Sequence, residues 1–223
     1  MRKLTLLVVA GLLAVAGCGG SGGNDEPVGQ QLAAAKTSFD HAKYIGFTLT
    51  SDNLPDGVDA LETATGTGTH APAFTGKIQV RKGFSFNAAL VAIDRKVYAE
   101  LPFVGWTVIN PGDYGAPDPA ALMDPQTGLS SLLTDTVDAK ATGSERSGDL
   151  VLTKIEGTLP GKDVHALFSS AAQTPFRVTF TVTQDDDLHS VSMTGPFYGD
   201  HGDSTYSITL DLAADPVTVT APE

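Results

Sequence analysis

The stretch FRVTFTVTQDDDLHSVSMTGPFYGDHGDSTYSITLDL, residues 176–212, decides the fold. Its apolar side chains occupy every second position in three segments, Phe176 to Val182, Val191 to Met193 and Tyr206 to Leu212. Such alternation is typical of strands with one buried face and one face in solvent. Polar turns rich in aspartate separate the segments, so the stretch predicts three consecutive antiparallel strands.

Alternating apolar residues continue in the N-terminal direction. They recur near positions 45–49, 78–80, 84–90, 97–101 and 151–155, and turn-forming residues follow most of these runs. Many short alternating strands joined by tight polar turns indicate one large antiparallel sheet whose apolar face is buried. No internal repeat and no interdomain linker interrupts the pattern, so residues 28–223 are predicted to form a single domain.

Helical periodicity is confined to a few short segments. Val28, Leu32, Ala35 and Phe39 recur at helical spacing and predict a first amphipathic helix of roughly three turns. Further short helices are predicted from Ala120, within 128–133, and from about 162 to 170. The fold class is therefore α+β, a large twisted antiparallel sheet with helices packed on its apolar face.

These helices are few and short compared with the apolar face that they have to cover. Either the sheet curls and fills its own core, or a cavity lined by Phe, Leu, Ile and Val is left beneath the helices. The residue pattern alone does not decide between the two, and full packing is the simpler outcome.

The N-terminus has the features of a bacterial lipoprotein signal. Arg2 and Lys3 precede the apolar run from Leu4 to Ala16, which is too short to span a bilayer, and the run closes on Val15-Ala16-Gly17-Cys18. This order predicts cleavage before Cys18, the only cysteine, and modification of its thiol with diacylglycerol carrying acyl chains such as palmitate. An ordinary signal peptide followed by an accidental cysteine is the less favoured alternative.

That signal divides the N-terminal region into two predicted parts. Residues 1–17 are predicted to be the signal peptide, and residues 18–27 the acylated cysteine with a flexible Gly-rich tether. The mature protein would be held at the outer, extracytoplasmic face of the cell membrane without spanning it.

Composition and spacing argue against several functional classes. The net charge of −12 disfavours nucleic-acid partners, which need clustered Lys and Arg. None of the five histidines has a second ligand at metal-site spacing, and no Gly-x-Ser-x-Gly nucleophile elbow is found, since the match to that pattern at residues 19–23 lies in the Gly-rich tether. The sequence thus predicts no metal, no cofactor and no enzymatic activity.

The middle of the chain resembles a known family. The residues that carry the resemblance are Val97-Tyr98-Ala99, Trp106, Pro119 to Leu122, Gly76 to Val80 and, above all, Asp124-Pro125-Gln126-Thr127-Gly128-Leu129-Ser130-Ser131-Leu132-Leu133. They resemble the actinobacterial cell-envelope lipoproteins of the LprG, LprA, LprF and LppX family. The resemblance implies a fold like that of the lipoprotein carrier LolA, a half-open antiparallel β-barrel whose concave face is covered by helices around a hydrophobic cavity. Relatives bind multi-acylated lipids or glycolipids there and are thought to carry them outward, in some cases with an export pump.

The same resemblance suggests which residues face the cavity. Ile78 and Val80 match a strand that lines it, and the helix over its mouth is matched by Leu129, Leu132 and Leu133. Strand alternation adds Phe47, Leu49, Phe86, Leu90, Phe176 and Val178. Ordinary core packing is the alternative for each of these residues.

The sequence therefore predicts an anchored acyl-lipid carrier that moves cargo from the plasma membrane toward the outer envelope. The alternative is an envelope scaffold without lipid cargo that partners a membrane transporter. Arg95-Lys96 and the apolar loop at 102–105 depart from the family pattern, so the identity of the cargo cannot be inherited.

Overall fold

The computed structural model describes residues 28–222. The predicted signal peptide, the acylation of Cys18 and the tether fall within residues 1–27 and so lie outside the described residues. The helices are α1 (Val28–His41), α2 (Ser131–Asp135) and α3 (Gly161–Leu167). The strands are β1 (Ile45–Asp52), β2 (Ala60–Thr69), β3 (Ala73–Lys82), β4 (Phe84–Ile93), β5 (Lys96–Leu101), β6 (Gly105–Ile109), β7 (Val137–Ser147), β8 (Leu150–Leu159), β9 (Phe176–Thr183), β10 (Leu188–Gly195) and β11 (Ser204–Asp211).

All eleven strands belong to one sheet in the order β6-β5-β4-β3-β2-β1-β11-β10-β9-β8-β7. Two antiparallel meanders, β1 to β6 and β7 to β11, are joined where β1 pairs with β11, for example Leu49 opposite Ile208. Within the described residues, β6 and β7 each have one neighbouring strand, so the curved sheet is open along one side. The predicted α+β fold with a large curved antiparallel sheet is confirmed.

The helices match the predictions in place but not always in length. The buried residues of α1 are Leu32, Ala35 and Phe39, as its periodicity indicated. The segment from Ala120 forms only a short 3-10 turn, Ala121–Met123. Helix α3 ends at Leu167 instead of 170, because Phe168 takes an extended backbone and its ring packs into an aromatic cluster.

That aromatic cluster fills the C-terminal half of the core. The ring of Phe197 packs edge-on against Phe168, Phe176 and Tyr206 at centroid distances of 5.1, 4.9 and 4.8 Å. All four rings are buried. Edge-to-face aromatic contacts add stability beyond the area that they bury, and they leave this half of the sheet tightly packed.

Hydrogen bonds hold the turn at the start of Asp124 to Leu133, the segment that carries most of the family resemblance. The Asp124 carboxylate accepts hydrogen bonds from the backbone N–H groups of Gln126 and Thr127, both at 2.8 Å, and these bonds lower the pKa of Asp124. Lys36 on α1 donates to the carbonyl of Pro125 and so ties the first helix to this turn. The turn thus fixes α1 against the segment that precedes α2.

A buried hydrogen bond also links the two meanders. The Tyr206 hydroxyl on β11 donates to the carbonyl of Leu61 on β2 at 3.0 Å and is hydrogen-bonded to the Tyr198 hydroxyl. Replacing Tyr206 with phenylalanine should lower the free energy of unfolding by about 1–3 kcal/mol, because both partners stay buried without it. Denaturant unfolding measures the change, and Tyr98→Phe on the partly exposed face of β5 is the matched control.

The same hydroxyl makes stability depend on alkaline pH. Burial raises the pKa of Tyr206, so the folded protein holds this proton at pH values where the unfolded chain has lost it. The free energy of unfolding should therefore fall above about pH 10, with a shallower fall in Tyr206→Phe. An identical alkaline slope in both proteins would assign the fall to other groups.

Candidate functional site

The N-terminal half of the sheet covers an apolar cavity. Strands β1 to β5 form one wall, and the other is formed by residues 109–123, a mostly irregular segment that we call the strap. The strap contributes Ile109, Pro111, Tyr114, Ala116, Pro117, Pro119 and Leu122 to the lining. Apart from the Tyr114 phenol, every side chain that lines the cavity is apolar.

The floor of the cavity depends on two glycines. Gly66 on β2 and Gly76 on β3 lie opposite each other, and the ring of Phe74 lies across both. A Cβ atom on Gly66 would lie 2.5 Å from the Phe74 ring, and one on Gly76 would lie 2.6 Å from it. Phe74 in turn stacks on Phe47 with ring centroids 4.9 Å apart. Without side chains at these two positions the ring can lie flat on the sheet.

Three prolines reduce the number of backbone N–H groups that the strap buries over the apolar cavity. An irregular segment facing an apolar cavity would normally bury backbone N–H groups without partners, at a cost in free energy. Pro111, Pro117 and Pro119 have no N–H to satisfy, and all three line the cavity. Two short 3-10 turns, Pro111–Tyr114 and Ala121–Met123, supply backbone hydrogen bonds in the rest of the strap, which therefore covers the cavity without an α-helix.

The mouth lies where the lining residues become partly exposed. These include Phe86 on β4, Leu101 on β5 and Tyr114 on the strap. Lys82 at the end of β3 holds the strap beside this opening. Its Nζ donates to the carbonyl of Asp113 at 2.7 Å, pairs with Asp59 at 3.2 Å and lies 4.7 Å from the centre of the Tyr114 ring.

The cavity is small in this structure. Its volume is about 40 Å³, which is room for about three water molecules. An acyl chain needs much more space, because each of its many methylenes has to be enclosed. An apolar ligand of that length could therefore enter only if the strap moved away from the sheet.

The predicted cavity residues divide into two groups. Six line the cavity: Phe47, Leu49, Ile78, Val80, Phe86 and Leu90. The other five are buried in the core but do not line it: Leu129, Leu132, Leu133, Phe176 and Val178. In this second group, Leu132 and Leu133 lie on α2 with Leu129 just before it, and Phe176 and Val178 lie on β9, where Phe176 belongs to the aromatic cluster. Contact of any of these residues with a ligand stays a prediction.

Several lining residues were missed in the sequence. Phe74 could have been found by extending the alternation of Ile78 and Val80 two steps toward the N-terminus. Leu61 and Ala64 flank a shift in strand register, which breaks the alternation that would have revealed them. The strap residues follow no period, so no sequence signal placed them over the sheet.

Neither a metal cluster nor a membrane-spanning helix emerges from the described residues. From Val28 to Pro222, no three His, Cys, Asp or Glu side chains are grouped so that they could hold an ion. No helix in this part of the chain has both the length and the apolar character needed to cross a membrane.

A model of the LppX_LprAFG lipoprotein family matches residues 29–219. The chain belongs to the LppX_LprAFG lipoprotein family. The resemblance seen in the sequence is thereby confirmed. Members of this family are associated with the cell envelope.

Two family relatives match the chain along almost its whole length. It is 27% identical to the lipoarabinomannan carrier protein LprG of Mycobacterium tuberculosis, over 99% of this chain and 95% of the relative. It is 26% identical to the protein of the same name from Mycolicibacterium smegmatis, over 100% of this chain and 96% of the relative.

Two crystal structures share the fold. LprF from Mycobacterium bovis superposes with a TM-score of 0.69 at 16% identity, over 87% of this chain and 96% of that protein. LppX from Mycobacterium tuberculosis gives a TM-score of 0.65 at 16% identity, over 86% and 98% of the two chains. At this level of identity the likeness concerns the fold.

Proposed function

We propose that this protein is a membrane-anchored carrier that binds multi-acylated lipids or glycolipids in the cavity under the strap. The observation that carries the proposal is the lining itself, which is apolar on every side and interrupted only by one phenol. Such a surface offers a ligand apolar contact and few hydrogen bonds. Acyl chains are the ligands that gain most from it.

Relatives support a lipid cargo of this class. The mycobacterial proteins that match the chain along almost its whole length are named lipoarabinomannan carriers. Lipoarabinomannan is a glycolipid, and we propose an acylated lipid or glycolipid as the cargo here without assigning its head group. Transport would run from the plasma membrane toward the outer envelope, with an export pump as a potential partner.

Apolar burial would drive binding, opposed by the opening of the cavity. Each Å² of apolar surface removed from water contributes about 25 cal/mol. Moving the strap breaks the contacts of Lys82 with the Asp113 carbonyl and the Tyr114 ring, and ordering the acyl chains costs conformational entropy. The affinity should therefore be lower than the buried area alone suggests.

The chain is proposed to have three parts. Residues 1–17 would direct export, Cys18 would carry the acyl anchor at the outer face of the membrane with the tether up to residue 27, and residues 28–223 would bind the lipid. In this scheme the protein is not an enzyme and uses no cofactor or metal.

A scaffold without lipid cargo is the second candidate, and the small volume of the cavity favours it. At about 40 Å³ the cavity holds no acyl chain as it stands. A scaffold would keep this closed form and would use its acidic surface, at net charge −12, to contact envelope proteins or a transporter.

Native mass spectrometry separates the two candidates. The intact lipoprotein and a soluble form that begins after Cys18 would be purified from an actinobacterial host. A soluble form that carries lipid of defined mass supports the carrier and names its cargo class. An empty soluble form that also takes up no lipid from an envelope extract would favour the scaffold.

A further inference from the structure

Two neighbouring hairpin tips expose large apolar side chains. Phe84, at the tip between β3 and β4, is 69% exposed. Phe103 and Val104, at the tip between β5 and β6, are 109% and 68% exposed. Strands β4 and β5 pair antiparallel with Leu90 opposite Ala99, so β5 runs toward the end of the sheet at which β4 starts. The two tips therefore lie at the same end of the sheet, and we call Phe84, Phe103 and Val104 the tip cluster.

The cluster is unusual both in its residues and in their setting. Phe103 has φ of +64°, a backbone conformation that turns usually assign to Gly or Asn. The segments 83–86 and 102–105 contain no charged residue, and the charged residues that precede them are Lys82 and Glu100. Grouped exposed apolar side chains are costly in water, which points to a partner that covers them.

Apolar side chains lead from both tips toward the cavity mouth. The ring of Phe84 lies 5.7 Å from that of Phe86, and Phe86 lines the cavity mouth. Leu101, which also lines the cavity, directly precedes the other tip. A lipid that leaves a bilayer at this point would meet apolar side chains that lead toward the cavity, beside the ion pair of Lys82 and Asp59.

From this arrangement we infer that the tip cluster is a membrane-docking surface that inserts into the interfacial region of a bilayer. The inference rests on the proposed carrier function and adds the place where lipid enters. Aromatic side chains are favoured at the boundary between head groups and acyl chains. Lys82 is paired with Asp59, and Lys77 shares a surface groove with Glu100 beside Phe103, so docking should depend on apolar insertion and not on anionic lipid.

The length of the chain before α1 allows this docking. Helix α1 lies at the opposite end of the sheet, where Gln31 donates to Asp186 in the turn between β9 and β10. Ten residues from Cys18 to Pro27 span at most about 35 Å, and a ten-residue strand such as β4 measures about 33 Å. An acyl anchor on Cys18 therefore lets the tips reach the membrane that holds it.

Trp106 provides a built-in reporter, because it is the only tryptophan and lies on β6 beside the tip. The acylated mature protein would be placed in phosphatidylcholine vesicles that contain brominated phosphatidylcholine, which quenches tryptophan in the acyl region. We expect Trp106 emission to be quenched in the unmodified protein. In the triple variant Phe84→Ser, Phe103→Ser and Val104→Ser, quenching should fall to about a third or less.

The matched control is Val137→Ser with Leu150→Ser, which removes two exposed apolar side chains at the β7–β8 edge, 48% and 44% exposed. This control should keep the quenching of the unmodified protein. Equal quenching in the triple variant, or equal loss in the control, overturns the inference. Quenching that appears only with anionic phosphatidylglycerol and is abolished by salt also overturns it, in favour of a charged contact.

The same preparations distinguish this inference from the proposed function. Lipid-loaded protein whose Trp106 is not quenched refutes the docking surface and leaves the carrier function standing. Quenched protein that neither carries nor takes up lipid supports a docking surface and refutes the carrier.

Discussion

Replacing Ile78 with tryptophan is expected to cut the lipid-bound fraction of the protein to about a tenth or less, because close-packed interiors have no room for both an indole and an acyl chain. Ile78 lines the cavity and is partly exposed, so the larger ring can extend toward the mouth without breaking the core. Native mass spectrometry of protein from an actinobacterial host measures the bound fraction, and circular dichroism checks that the variant is folded.

Two further variants sharpen this test. Val80→Trp places the ring deeper, where Val80 is 1% exposed, and should add a loss of stability of about 1–3 kcal/mol from overpacking. Lys77→Trp puts the same ring on the same strand but on its exposed face, and should leave the bound lipid unchanged. A folded Ile78→Trp protein with its normal lipid content would show that the cargo does not occupy this cavity.

Replacing Gly66 or Gly76 with alanine should lower the free energy of unfolding by about 3 kcal/mol. The added Cβ would lie 2.4 Å from the Thr75 carbonyl oxygen in the first variant and 2.2 Å from that of Thr65 in the second. Backbone atoms in a sheet cannot retreat as a flexible side chain can. The Phe74 ring would also be lifted from the cavity floor, so lipid binding should weaken as well.

Gly143→Ala is the matched control, because Gly143 lies in β7 with nothing within 4 Å of an added Cβ. Its stability should stay within about 0.5 kcal/mol of the unmodified protein. Urea unfolding of the three variants compares these costs directly. If the free energy of unfolding fell equally in all three variants, the loss would come from replacing any glycine in a strand and not from displacing the Phe74 ring.

The sequence predicted the strands that have one apolar face and missed those that do not. Strands β9 to β11 alternate clearly because their inner faces carry large side chains in a packed core. Strand β2 instead presents Ala64, Gly66 and Gly68 inward, since Phe74 and Met123 occupy the space above it. Strand β7 is exposed along nearly all its length, so hydrogen bonding to β8, and not burial, determines its place.

The sequence predicted only part of the cavity lining, because strand alternation depends on local pattern and the filling of the core does not. Alternation identifies the residues on the inner face, but it cannot tell which half of that face is filled. Phe176 and Val178 alternate as well as Phe47 and Leu49 do, yet the first pair lies in the packed half. What separates the two halves is the long-range packing of Phe197 and the strap.

The pairing of β1 with β11 would also constrain how the chain folds during the export proposed above. Gly46 lies opposite Asp211, so this central pair joins positions at nearly opposite ends of the domain. Closing so long a loop has a high entropic cost and slows folding. A chain that emerges N-terminus first cannot form this pair until β11 has left the translocation channel. During the proposed export, β1 to β6 would therefore expose their apolar face until β11 arrives. We expect chaperones outside the membrane to bind the incomplete domain at this stage.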